Sequence, residues 1–124
     1  MTKILLIALG GAAGSVSRYS LGLWIDKATG SPYSYGTLAA NLLGCLLFGV
    51  VAGLLERGDV LPKHADVLLL TGFMGAFTTF STFAFHNMMF AHEGKVGYLL
   101  FNVLAQNLLG FAAVFAGFLA ARPH

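Results

Sequence analysis

The sequence predicts an all-α integral membrane protein with four spans, and three observations carry that reading. Hydrophobic residues fill 57% of 124 positions and the mean hydropathy is +0.79. Of twelve Asp, Glu, Lys and Arg residues, eleven fall outside four apolar stretches, residues 4–25, 35–55, 67–91 and 96–121. Each stretch can cross a hydrocarbon core of about 30 Å at about 1.5 Å per residue. The connections are short, so residues 1–124 read as a single four-span membrane domain with no soluble part.

The first span opens with Lys3, ILLIAL and GGAAG, and so imitates a secretory signal, whose apolar centre is about 7–15 residues. Its apolar pattern continues past Arg18 to Trp24, an interfacial residue type, so it is kept as a span. The second presents Thr37, Asn41 and Cys45 at steps of four, and the fourth presents Tyr98, Asn102 and Gln106 at the same step. The third contains GAFTTFSTF, in which Phe77, Phe80 and Phe83 alternate with Thr78, Thr79, Ser81 and Thr82 behind Gly75. Gly30, Pro32, Gly58, Pro62 and Gly94 punctuate the connections as turn residues.

Four spans place both termini on one side, together with Lys3, Arg57, Lys63 and Arg122; Lys27 and Lys95 face the other side and Arg18 lies within the first span. A Lys/Arg bias this weak allows insertion in both orientations, and hence an antiparallel homodimer. Small residues four apart, at Gly10 and Gly14, Gly11 and Ser15, Ala40 and Gly44, and Gly49 and Gly53, mark close helix contacts within one subunit or between two.

Polar groups at bilayer depth turn to the protein interior or to a hydrated path, because an unpaired one is costly in lipid. The two stripes, with Ser81 and Thr82 on the third span, fit either a narrow hydrated route or hydrogen-bonded packing between helices. No Asp or Glu lies inside the four stretches, and Arg18 is the only fixed charge there. Amides, hydroxyls and a guanidinium supply donors, and aromatic rings have electropositive edges, so such a route suits a small anion. Arg18 fits a second reading equally, as a side chain reaching for the headgroups.

His64, His86, His92 and His124 lack the i, i+4 spacing of a helical metal site. Cys45 is the only cysteine and reads as a small packed group. There is no catalytic pair, no phosphate-binding glycine loop and no basic tract, so neither an enzyme nor a nucleic-acid binder is expected.

GGAAGSVSRY in the first span, ANLLG around Asn41 and GFMGAFTTFSTF in the third resemble the small bacterial fluoride channels of the Fluc (CrcB) family over the full length of the chain. The resemblance implies a passive fluoride-selective channel in the bacterial inner membrane, built as a dual-topology antiparallel homodimer with two pores. It implies a fluoride path along Asn41, Phe80 and Phe83, continued by Thr37, Ser81, Thr82, Asn102, Gln106 and Arg18. It further implies a third helix broken near its middle, with a structural sodium ion held at the dimer centre by the backbone carbonyls of Gly75 and Thr78, and no organic cofactor. In the family an acidic residue often stands at the position of His86, and tyrosine is frequent near that of Asn102. Two other readings are a four-span drug antiporter, which would need a carboxylate in the membrane, and a structural membrane protein without transport.

Overall fold

The computed structural model describes residues 1–31, 33, 35–58 and 60–123; Pro32, read above as a turn residue, and His124 lie outside them. The described chain is helical, with four segments long and apolar enough to cross a membrane, and it is a multi-pass membrane protein. Helix α1 spans Thr2–Thr29 and α2 spans Tyr35–Glu56. The third segment is divided. Its first part, α3, is π-helical over Val67–Met74 and ends in one α-turn, Gly75–Phe77; its second, α4, spans Phe80–His92. Helix α5 covers Val96–Ala121 and includes a π-helical turn at Ala105–Leu109.

Helix α1 is longer than the apolar stretch 4–25, because Asp26 and Lys27 continue it until Gly30 adopts φ 57°, ψ 16° and returns its N–H to the Asp26 carbonyl at 3.0 Å. An acid absent from the apolar stretches therefore stands on the last turn of the first helix. Its Oδ1 accepts the Gly36 N–H at 3.0 Å, which joins the end of α1 to the start of α2. At the opposite end of the bundle Arg57, just beyond α2, donates to the Arg122 carbonyl after α5 at 3.4 Å. These two cations share one side, as the loop count expected.

The bundle is assembled from two close helix pairs, α1 on α3 and α2 on the second half of α5. Glycine makes both contacts. Gly10 and Gly14 are buried against the backbone of Leu68 and Phe73, and a methyl group at either would run into a carbonyl oxygen. Gly49 and Gly117 stand in the same relation across α2 and α5, with the Val114 and Leu46 carbonyls where a side chain would have to go. Of the small-residue pairs in the sequence, Gly10–Gly14, Ala40–Gly44 and Gly49–Gly53 are buried within this one chain. Close backbone approach supplies the van der Waals contact that holds helices together in lipid, where apolar burial drives little.

Gly49→Ala should therefore cost about 1–3 kcal/mol through overpacking and lower the thermal midpoint of the purified protein in detergent. Gly97→Ala, where an added methyl meets nothing within 4 Å, should leave the midpoint unchanged.

Candidate functional site

The gap between α3 and α4 organises everything near it. Thr78 and Thr79 are both extended, at φ −84°, ψ 158° and φ −149°, ψ 112°. Two adjacent threonines favour this break, since their hydroxyls offer the backbone alternatives to helical bonds. Thr78 Oγ1 donates to the Met74 carbonyl at 3.0 Å. Thr79 caps α4: its Oγ1 accepts the Thr82 N–H at 3.2 Å and donates to Thr82 Oγ1 at 3.0 Å.

An open peptide at bilayer depth needs partners, and Asn41 on α2 supplies both. Thr79 N–H donates to Asn41 Oδ1 at 2.8 Å, and Asn41 Nδ2 donates to the Thr79 carbonyl at 3.1 Å. This two-point pairing fixes the orientation of the Asn41 amide, because a backbone N–H can only donate. The next residues follow in turn. Asn41 Nδ2 also donates to Gln106 Oε1 at 2.5 Å, so Gln106 must present its oxygen to Asn41 and its nitrogen to the other side. There Gln106 Nε2 donates to Asn102 Oδ1 at 2.8 Å, and Asn102 Nδ2 donates to Asn87 Oδ1 at 2.9 Å. Asn102, only 1% exposed, completes the string by accepting the Tyr33 hydroxyl from the loop before α2. Among the described residues no buried side-chain nitrogen or oxygen is left unpaired. An unpaired one would cost about 1–3 kcal/mol.

Two cavities adjoin the break. The first, about 340 Å³, is lined by Asn41, Cys45, Thr78, Thr79, Phe80, Phe83, Gln106 and Asn107, together with Gly44, Phe48 and Val114. None of these is Asp, Glu, Lys, Arg or His. The Phe80 and Phe83 ring centres are 5.5 Å apart and tilted by 49°, and their three-residue spacing on the resumed helix puts both on one face. The second, about 270 Å³, is lined by Arg18, Asp26, Thr37, Thr79 and Thr82, among others. Thr79 belongs to both walls.

The residues expected along one path are thus divided. Asn41, Phe80, Phe83 and Gln106 surround the first cavity, and Arg18, Thr37 and Thr82 the second. Asn102 joins them through Gln106 and lines neither, while Ser81 is exposed with its Oγ 3.4 Å from Thr79 Oγ1. The stripe Thr37, Asn41, Cys45 lies on an unbroken helix, but Thr79 stands between the two cavities, so Thr37 lines the second while Asn41 and Cys45 line the first. Cys45, expected as packing, is part of the cavity wall.

The break also alters two carbonyls. In a continuous helix Gly75 O would accept the Thr79 N–H and Thr78 O the Thr82 N–H, but these amides bond Asn41 Oδ1 and Thr79 Oγ1 instead. Gly75 is exposed. Two oxygens relieved of helical donors at this depth are the kind of ligand a hard cation takes.

A family profile described as CrcB-like protein, Camphor Resistance (CrcB), matches residues 5–118. The chain belongs to the CrcB family. Among its relatives, the protein named fluoride-specific ion channel FluC from Maridesulfovibrio salexigens is 42% identical over 122 residues, 98% of this chain and 97% of the relative. Those of the same name from Solidesulfovibrio magneticus and Nitratidesulfovibrio vulgaris are 43% and 44% identical, over 98% and 94% of both chains.

In this CrcB chain, sequence reasoning missed Tyr33, Asn87, Asn107 and Asp26. Asn107 falls off the Tyr98–Asn102–Gln106 stripe at α-helical spacing, and the wider π-turn at Ala105–Leu109 lets it share the cavity with Gln106. Asn87 was legible as an amide inside an apolar stretch. Tyr33 carried no signal, since a loop tyrosine beside a proline reads as an interfacial ring. It is 2% exposed, with its ring stacked on Phe90 and Tyr98. Burial, with Tyr35 adding to it, pushes its phenol up to about 12. The hydroxyl therefore stays a neutral donor at alkaline pH, and loss of its proton disfavours the folded state as pH rises above the ordinary phenol value of about 10. Alkaline titration of phenolate absorbance in the folded protein should show a late phase near 12 for one of the four tyrosines, and Tyr33→Phe should remove that phase.

Proposed function

We propose that this chain forms a passive, fluoride-selective anion channel that exports fluoride across a bacterial inner membrane and so lowers cytoplasmic fluoride. The observation that carries this reading is the lining of the first cavity: amide, hydroxyl and aromatic side chains around an uncoiled peptide, with no ionisable carboxylate, ammonium, guanidinium or imidazole among its described walls. The relatives named fluoride-specific ion channels, alike along nearly their whole length, supply the identity of the anion. Fluoride is small and strongly hydrated, so a narrow path must return in hydrogen bonds what dehydration removes. Asn41, Phe80 and Phe83 would meet the ion, with Ser81, Thr82, Thr37, Asn102, Gln106 and Arg18 continuing the track. Asp26 also lines the second cavity, where its Oδ1 accepts the Gly36 N–H.

Two copies in antiparallel orientation would complete the channel. Phe80 is 79% exposed and Ser81 is exposed, so a single chain walls its path on one side only. The weak loop-charge bias permits the inverted second copy. The Gly75 and Thr78 carbonyls, relieved of their helical amides, would hold a sodium ion where the copies meet, and the ion would fix the break without taking part in conduction.

Liposomes containing only the purified protein should release fluoride and retain chloride under a membrane potential; release of neither, or of both alike, would sink the proposal. Asn41→Asp, Phe80→Ile and Phe83→Ile should each cut fluoride flux by roughly tenfold or more, a loss of about 1.4 kcal/mol of ion stabilisation. Phe85→Ile should be mild, as Phe85 is exposed away from the cavity. Replacing sodium by a large organic cation should weaken assembly or flux, and an unchanged dimer and flux would count against the carbonyl site.

A further inference from the structure

The donor inventory at Asn41 is full before any ion arrives. Its Nδ2 carries two hydrogens; one goes to the Thr79 carbonyl at 3.1 Å and the other to Gln106 Oε1 at 2.5 Å. Its Oδ1 is occupied by the Thr79 N–H at 2.8 Å. An anion in the adjoining cavity can take an Asn41 hydrogen only by displacing one of these acceptors. The Thr79 carbonyl is backbone, fixed by the cap of α4. Gln106 Oε1 ends a side chain with three rotatable bonds, in a cavity of about 340 Å³ that also exposes Phe80 and Phe83.

We propose that the Gln106 carboxamide oxygen is a built-in competitor for the anion: it holds the second Asn41 N–H in the empty path and must leave for fluoride to bind, so Gln106 sets the fluoride concentration at which the path fills. The inference rests on the fluoride reading above and specifies the state from which binding starts. Competition of this kind weakens binding while leaving the path fully paired when empty, which avoids both an unsatisfied amide in the membrane and an ion held too tightly to pass. Outward rotation of Gln106 also carries its nitrogen away from Asn102, whose oxygen keeps the Tyr33 hydroxyl as a donor and so is not orphaned.

Gln106 is the only glutamine in the sequence, which makes it a single-site probe. Wild-type protein labelled with carbon-13 at the glutamine carboxamide should give one side-chain resonance. Sodium fluoride should shift it over the concentration range in which flux saturates, and sodium chloride should not. Gln106→Met, which keeps length and removes the carbonyl, should lower the half-saturating fluoride concentration at least several-fold; Gln106→Glu should raise it or abolish flux.

An unmoved glutamine resonance in protein that conducts fluoride overturns the inference. So does a Gln106→Met variant that needs more fluoride, which would make Gln106 a donor to the ion. If Gln106→Met does not fold, the labelled wild-type protein alone decides. Absence of fluoride flux in wild type would instead refute the channel reading itself, so the two failures are separable.

Discussion

Everything around the site depends on one side chain standing in for a helical turn. Asn41 gives the Thr79 peptide both a donor and an acceptor, so α3 can end and α4 begin without leaving an open amide in the bilayer. Without it, the two extended threonines would be costly and a continuous helix would be preferred. With it, the rings of Phe80 and Phe83, the cap at Thr79 and two carbonyls released from helical bonding all appear within one turn of the break. The amide string to Gln106, Asn102 and Tyr33 then has only one consistent orientation, set by a backbone N–H.

The close helix pairs provide rigidity around that break. Gly10 and Gly14 bring α1 against α3, and Gly49 and Gly117 bring α2 against α5, so the half of the third segment before the gap and the helix carrying Asn41 are each held by backbone contact. The segment after the gap is held mainly by α5 and by Tyr33, whose ring stacks on Phe90 while its hydroxyl bonds Asn102. A loop residue thus fastens the far half of the bundle from outside the apolar stretches.

Much of this was legible in the sequence. Charge placement gave the four segments, and three of the four small-residue pairs are buried within the chain as close contacts. The break in the third helix came from the family resemblance, and the adjacent Thr78 and Thr79 agree with it. Polar residues at steps of four pointed to Asn41, Asn102 and Gln106. What stayed hidden has physical causes. Stripe reasoning takes each helix as unbroken and its neighbours as continuous: Thr37 and Asn41 share a face of α2, but Thr79 in the broken third segment divides the cavities they line, and at Asn107 a π-turn rewinds the helix. It is silent on Tyr33, because nothing in a loop's composition shows that its phenol reaches a buried amide. The extension of α1 through Asp26 and Lys27 was missed because hydropathy reports where lipid ends and not where the helix does.

The wide turn at Ala105–Leu109 ties the site to the packing below it. It holds one residue more per turn than the α-helix around it, so Gly110 and Gly117 reach α2 only because that extra residue has been absorbed upstream. Losing a residue there would return the turn to α-helical winding and withdraw Asn107 from the cavity, while the glycines after it kept their register on α2. A one-residue change at the ion path would thus be taken up before it reached the contact of Gly117 with Leu46, whereas the same deletion between Gly110 and Gly117 would rotate that glycine off α2 by about 100°. Residue count is accordingly tolerant at the wide turn and strict along the glycine-bearing stretch that follows it.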